Sequence, residues 1–300
     1  MTEVLAITKD GRKLRFYNPI YLRLIKSFDC PASSLRVKVL SEKEPPYLRE
    51  IHIRRQGKIV FRGFLDRQIF EKSKEGGFLS IEARSMGCLL TDNEAVPGAY
   101  YNASLGSIFD KYIGSFGVFE NCLDKNARSY ETIITKGKSR WEAFSHFCSL
   151  TLGKTPYIRF DNRVVTGSFE KNISLDDAYS VRKIYNPSKI ISVAVLRDEN
   201  GAYRKVFRSP FKRSKGILRV RYFPGTKDWE SKKRESALEI FIKSLAKSEV
   251  TEVFLGETKD IEIGDTVFFG GERLCVREID IKLSPKKEEE KLSLCPVEDF

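Results

Sequence analysis

The residues able to do chemistry are few and poorly spaced for it. Histidine occurs twice in the 300 residues, as His52 and His146. His52 alternates with Ile51 and Ile53, as one face of a strand does, and His146 lies in a helical stretch behind Trp141. A catalytic triad or a zinc site needs several such groups brought together, and neither histidine has a cysteine at metal-ligand spacing. The six cysteines (Cys30, Cys88, Cys122, Cys148, Cys275 and Cys295) contain no Cys-x-x-Cys pair. They read as reduced, mostly buried thiols of a chain made in the cytoplasm. Asp176 and Asp177 are adjacent, and neighbours in an extended chain point to opposite faces, which does not make an acid/base dyad. Gly76-Gly77 and Gly270-Gly271 suit hairpin turns rather than a phosphate loop. The residues predict no catalytic, cofactor or metal site, so the chain reads as a non-enzyme.

Charge is the stronger signal. Lys and Arg number 53 against 41 Asp and Glu, a formal net charge of +12. Such a balance suits an acidic partner (nucleic acid, an acidic protein or a membrane surface) as well as a plain solvated surface. Residues 201–226 hold no acid, but Arg204, Lys205, Arg208, Lys212, Arg213, Lys215, Arg219 and Arg221 all fall there, with Phe207, Phe211, Tyr222 and Phe223 interleaved. Basic plus aromatic is the pattern of single-stranded nucleic-acid binding. It is also what a loop docking on an acidic protein would show, and the strand-plus-loop placement favours that or solvation. Arg204, Arg208, Lys212, Arg213 and Lys215 are therefore candidate partner contacts. Arg84, at the end of a strand, is a candidate turn or interface ion-pair residue.

The elements that must position these residues are mainly strands. Residues 58–92 organise the N-terminal part: strands over 59–63 and 64–71, a polar turn at 74–77, and a return over 78–83 in which Leu79, Ile81 and Ala83 alternate with polar residues. With a hairpin turned at Asp10-Gly11 and strands near 21–28, 35–39 and 51–54, residues 1–92 hold about seven short strands, the spacing of a sandwich or barrel. Ser104 caps a helix over 105–116 that Gly117 stops, and Ser139-Arg140-Trp141-Glu142 is a capping box opening a second helix that Gly153 closes. A hairpin over 157–165 follows. From Tyr179 strands resume over 190–196, 202–207, 217–222, 252–255, 266–269 and 274–283, with a helix over 228–247, a charged loop over 286–290 and a last short strand at 292–294. The turn over 261–267 is explained by hairpin closure alone. The expected fold is mainly β with an α+β insert: a first β-barrel over 1–98, the insert over 99–176, and a second β-barrel over 177–300 with one long helix. No signal peptide and no apolar run of membrane-span length is visible.

Four places make the sequence resemble the baseplate hub proteins of phage tails and related contractile injection systems, the group that includes late control protein D. They are Phe61-Arg62-Gly63-Phe64-Leu65-Asp66 with Leu79-Ser80-Ile81-Glu82-Ala83-Arg84-Ser85 and Leu89-Leu90-Thr91-Asp92; the helix from Ser104; Trp141 to Gly153 with its hairpin; and Ile263-Gly264-Asp265-Thr266-Val267 with the strands after it. The resemblance implies two tube-type barrels per subunit, so that a homotrimer presents six. It implies a symmetry adaptor between a six-fold tail tube and a three-fold central spike, with tail tube protein, spike protein and wedge or tape-measure components as partners. It places the chain in the baseplate of a virion or phage-tail-like particle assembled in the bacterial cytoplasm. The first 50 residues and 201–226 lie outside the resemblance. A nucleic-acid-binding β-barrel module using 201–226 is the alternative, and a cell-wall hydrolase lacks an acid/base pair.

Overall fold

Alternating burial builds the N-terminal strands. The computed structural model describes residues 2–55, 57–74, 76–198, 200–223 and 230–297. Gln56, Glu75, Glu199 and residues 224–229, expected in turns or at the start of the long helix, lie outside them. The first strands are β1 (Thr2–Thr8), β2 (Lys13–Tyr17), β3 (Tyr21–Ser27), β4 (Cys30–Leu40), β5 (Leu48–Arg55), β6 (Lys58–Ser73) and β7 (Gly76–Ser85), followed by the single turn α1 (Cys88–Thr91). Leu22 and Leu24 of β3, Leu35, Val37 and Val39 of β4, and Leu79, Ile81 and Ala83 of β7 all point into one core. The two strands expected over 59–71 are one 16-residue strand. It stays continuous because a register shift between Leu65 and Arg67 bends it against β7. Gly63 sits where the strands come closest, since a Cβ there would run into the Arg84 carbonyl.

The insert carries its own core. It contains β8 (Gly98–Ser104), α2 (Leu105–Tyr112), β9 (Glu120–Asn121), β10 (Arg128–Ile134), α3 (Arg140–Leu152), β11 (Pro156–Ile158), β12 (Arg163–Thr166) and β13 (Phe169–Ser174). Helix α2 is shorter than expected because the chain tightens into a 3-10 turn over Gly114–Phe116 before Gly117 reverses it. The capping box of α3 is complete: Ser139 Oγ accepts from Glu142 N at 3.1 Å and Glu142 Oε2 accepts from Ser139 N at 2.8 Å. Phe109, Phe144, Phe147 and Cys148 pack together with Leu90 from α1.

The remaining elements are β14 (Ser180–Tyr185), β15 (Val193–Arg197), β16 (Tyr203–Arg208), β17 (Val220–Phe223), α4 (Glu230–Ala246), β18 (Glu249–Leu255), β19 (Asp265–Phe269), β20 (Glu272–Ser284) and β21 (Lys287–Pro296). The chain is mainly β, as expected, but its strands do not close into two barrels. Among the described residues thirteen of them form one open sheet, in the order β14-β18-β21-β20-β3-β4-β7-β6-β5-β1-β2, with β19 beside β20 and β13 beside β19, and the rest form three small sheets. The seam is β3 with β20, where Ile279, Ile281 and Leu283 lie opposite Lys26, Leu24 and Leu22. Strand β20 is long enough to pair β19 through its first residues and β3 through its last. The two halves therefore share one core. No helix among the described residues is long and apolar enough to cross a membrane.

A buried ion network ties this core to the insert. Lys26 falls in the same inward register as Leu22, Leu24 and Phe28 and is only 4 % exposed. Its Nζ lies 2.9 Å from Glu262 Oε1 and 3.8 Å from the centre of the Phe160 ring. Burial pushes the Lys26 pKa down, and Glu262 opposes that push. Glu262 also accepts from Phe160 N at 2.6 Å and Ile263 N at 2.8 Å. Asp265, fully buried, accepts from Glu262 N at 2.9 Å and binds Arg159 at 3.0 Å and Lys171 at 3.3 Å. The segment expected to be a plain turn thus carries two buried carboxylates that join β3, the β11–β12 hairpin and β13. Between them Gly264 takes φ +83° and packs so closely on Tyr157 that a Cβ would strike its hydroxyl.

The charged loop expected over 286–290 is instead the start of β21. Glu288 accepts from Thr258 N and Glu290 from Lys259 N, both at 2.8 Å, so two inward carboxylates hold the chain segment before Ile261. Glu290 is fully buried, and that burial pushes its pKa up to about 7.

Three outcomes follow from these buried groups. Glu262→Ala leaves the Lys26 charge buried without its partner and lowers unfolding free energy by about 3–5 kcal/mol in urea denaturation. Gly264→Ala combines a left-handed backbone with a clash and costs roughly 2 kcal/mol or more in the same measurement. Glu290 has a folded pKa of about 7 against an ordinary 4.5. Its stability contribution is full below the ordinary value and is lost as pH rises through about 7. Raising pH from 4.5 to 8 costs about 3 kcal/mol through this group, and Glu290→Gln removes that part of the pH slope.

Candidate functional site

The histidines and acids that first suggest chemistry are held apart. His52 Nε2 lies 2.6 Å from Glu50 Oε1, which also accepts from Arg62 Nε at 2.8 Å. His146 is on the exposed side of α3. Asp176 accepts from Ser174 Oγ at 2.6 Å, and Asp177 lies 2.5 Å from Lys259 Nζ. Among the described residues no three His, Cys, Asp or Glu side chains gather as metal ligands would. Cys88, Cys148, Cys275 and Cys295 are buried free thiols, while Cys30 and Cys122 are exposed. Burial pushes the Cys148 and Cys275 thiols up, away from the reactive thiolate.

What remains are surfaces, and they differ in how their charge is used. On the outer face of the large sheet a groove of about 330 Å3 is lined by Arg23, Ser34, Arg36, Asp66, Glu82 and Arg84. Each of its arginines is paired. Arg23 binds Asp280 at 2.8 Å and Arg36 faces Glu82 at 3.5 Å. Arg84 donates to both oxygens of Asp66 at 2.9 Å and both of Asp92 at 2.8 Å. Its five-donor fork suits two bidentate carboxylates at once. Asp66 and then Asp92 hold the Arg84 pKa above the ordinary guanidinium range, and Arg84 in turn holds Asp92 below the carboxylate range.

The basic stretch forms a separate small sheet in the order β16-β15-β17. Arg204 and Arg208 lie on β16, and Lys212 and Arg213 on the 3-10 turn Lys212–Ser214, with Lys215 directly after it. The structure thus brings the five candidate residues onto one small unit and leaves Arg84 on another. Arg213 lies 3.4 Å from Glu249, and Arg204 is 4.0 Å from Asp198. One face of this sheet packs on α4 through Ala194, Leu196, Ala237 and Phe241.

A third surface was not visible in the sequence. Strand β14 ends the large sheet and pairs only β18 among the described residues. All six of its residues are exposed. Val181 and Ile184 point to opposite faces of it, with Tyr179 and Tyr185 at its ends, all exposed. The signal that could have found it is the mixed Val-Arg-Lys-Ile-Tyr run, which has no clean alternation and so no buried face.

No known family model and no curated protein matches the sequence. Solved structures do. The prophage MuSo2 43 kDa tail protein of Shewanella oneidensis aligns with a TM-score of 0.83 at 13 % identity, covering 100 % of this chain and 99 % of that one. A tail protein of Neisseria meningitidis aligns at 0.78 and 16 % identity over 99 % and 98 %. An E. coli component of the type VI secretion system, itself similar to the bacteriophage T4 tail proteins gp27 and gp5, aligns at 0.57 and 8 % identity over 93 % and 73 %. Over nearly its whole length, this chain has the fold of these two tail proteins.

Proposed function

We propose that the chain is a structural baseplate hub of a phage tail or phage-tail-like particle. The observation that carries this is a fold shared over the whole chain with two phage tail proteins, and over most of it with a secretion-system component. In this reading it is a homotrimer that adapts a six-fold tail tube to a three-fold central spike, with wedge or tape-measure components at its flanks. Residues 1–98 and 177–300 are the two tube-type units and 99–176 the lateral insert. The work is done by surfaces rather than by a reacting group.

The bare β14 edge supports assembly. This six-residue exposed edge carries Val181 and Ile184 beside Arg182 and Lys183, and its free backbone groups are a template for another strand. A ring closes when each copy presents the same two complementary patches to its neighbours. Sedimentation equilibrium and negative-stain imaging of the purified chain are expected to give a three-fold ring. Val181→Lys with Ile184→Lys, which puts charge on both faces of the edge, is expected to yield monomers that melt within about 0.5 kcal/mol of the parent. A stable parental monomer that also ignores tail tube protein would sink the proposal.

A further inference from the structure

We propose that the face of the β15–β16–β17 sheet turned away from α4, with the stretch carrying Leu218, docks an acidic protein segment that also brings aliphatic side chains. This goes beyond the hub reading and does not depend on it. The side chains of Val206 and Tyr222 flank Val195, and Val220 lies beside Val193, so all share the face turned away from α4; Val195 at its centre is buried and the residues around it are not. Val206 is 57 % exposed, Tyr222 64 % and Tyr203 50 %. The rings of Tyr203 and Tyr222 meet edge to face at 5.4 Å. Leu218, in the stretch before β17, is 99 % exposed. A free sheet face is ordinarily polar; this one is apolar, and contiguous exposed apolar surface marks an interaction site.

Charge selects the occupant. Arg208, which lies opposite Val193 on this face, and Lys212 and Lys215 of the segment after β16 make no ion pair among the described residues, in contrast to the paired arginines of the large sheet. A second copy is disfavoured, because the chain carries +12 and this is its longest acid-free basic stretch. A nucleic-acid strand would satisfy the cations and stack on a tyrosine, but it would leave Val206, Val220 and Leu218 without apolar cover. An extended segment alternating acidic and aliphatic residues satisfies both, with apolar contacts at the centre and ion pairs at the rim.

Fluorescence anisotropy with the full chain tests this against three probes of equal length: a peptide of alternating glutamate and leucine, oligoglutamate, and oligo-dT. The alternating peptide is expected to bind about tenfold or more tighter than either other probe. Arg208→Glu with Lys212→Glu is expected to weaken it about tenfold, and Val206→Ser with Leu218→Ser about threefold or more, at unchanged sedimentation mass. Leu218→Ser alone serves should the double variant melt early, since that side chain touches almost nothing. Oligo-dT binding as tightly as the peptide would assign the face to nucleic acid and overturn the proposal. So would indifference to the Leu218 change, binding of no probe, or a drop in mass that reveals a second copy on the face.

Discussion

A lysine in a core register constrains the rest of this structure. Lys26 stands among Leu22, Leu24 and Phe28 on β3, almost wholly removed from solvent. A buried ammonium is tolerated only where a carboxylate and further hydrogen bonds complete its shell. Glu262 supplies the carboxylate, but Glu262 is itself fixed by Phe160 N on one side and by the Asp265 turn on the other. Three stretches distant in sequence must therefore arrive together. The network adds less to net stability than an apolar core of the same volume could, because desolvation offsets most of the attraction. What it excludes is misplacement: any shift of the insert against the sheet strands a charge.

That constraint explains how an open sheet can be rigid. A sheet of 13 strands with free ends has many soft modes, and nothing in the pairing path itself closes it. Arg23 with Asp280 spans the β3–β20 seam at 2.8 Å on the outer face, while Lys26 with Glu262 fastens β3 on the inner face. From the other end, Glu288 and Glu290 of β21 hold the segment that leads into Ile261. Strain between the halves is thus resisted at the seam.

Local signals were legible in the sequence and long-range ones were not. Ser139 with Glu142 announces α3, and the Leu79-Ile81-Ala83 alternation announces β7, because both depend on neighbours a few residues away. Strand pairing does not. Alternation tells which face is buried and is silent on which strand lies alongside, so two barrels and one shared sheet predict the same pattern for β3. Lys26 was readable in principle, since it interrupts an inward series at the correct spacing. Glu288 and Glu290 were not, because a Lys-Lys-Glu-Glu-Glu run gives no sign of which way its carboxylates turn. Of the candidate contacts, the density of cations over 201–221 was plain; that they belong to a sheet with one covered face was not.

The total charge of +12 therefore says less than its distribution. Arg84 was expected as a turn or interface ion-pair residue, and its donors go to Asp66 and Asp92, which clamp β6, β7 and the end of α1 together. An arginine in that state offers a partner almost no unsatisfied hydrogen bond, and removing it would disturb the wall before it disturbed any complex. On the small sheet Arg204 and Arg213 have carboxylates, but Arg208, Lys212 and Lys215 make no ion pair among the described residues, and Arg208 shares a face with Val193 and Val206. Paired charge on the large sheet costs little to leave in water and attracts little. Unpaired charge beside exposed Val206 and Tyr222 projects a field that a partner of opposite sign can neutralise while it covers the apolar surface. The same residue types are internal fasteners on one unit and, on the other, are in part left without carboxylates among the described residues.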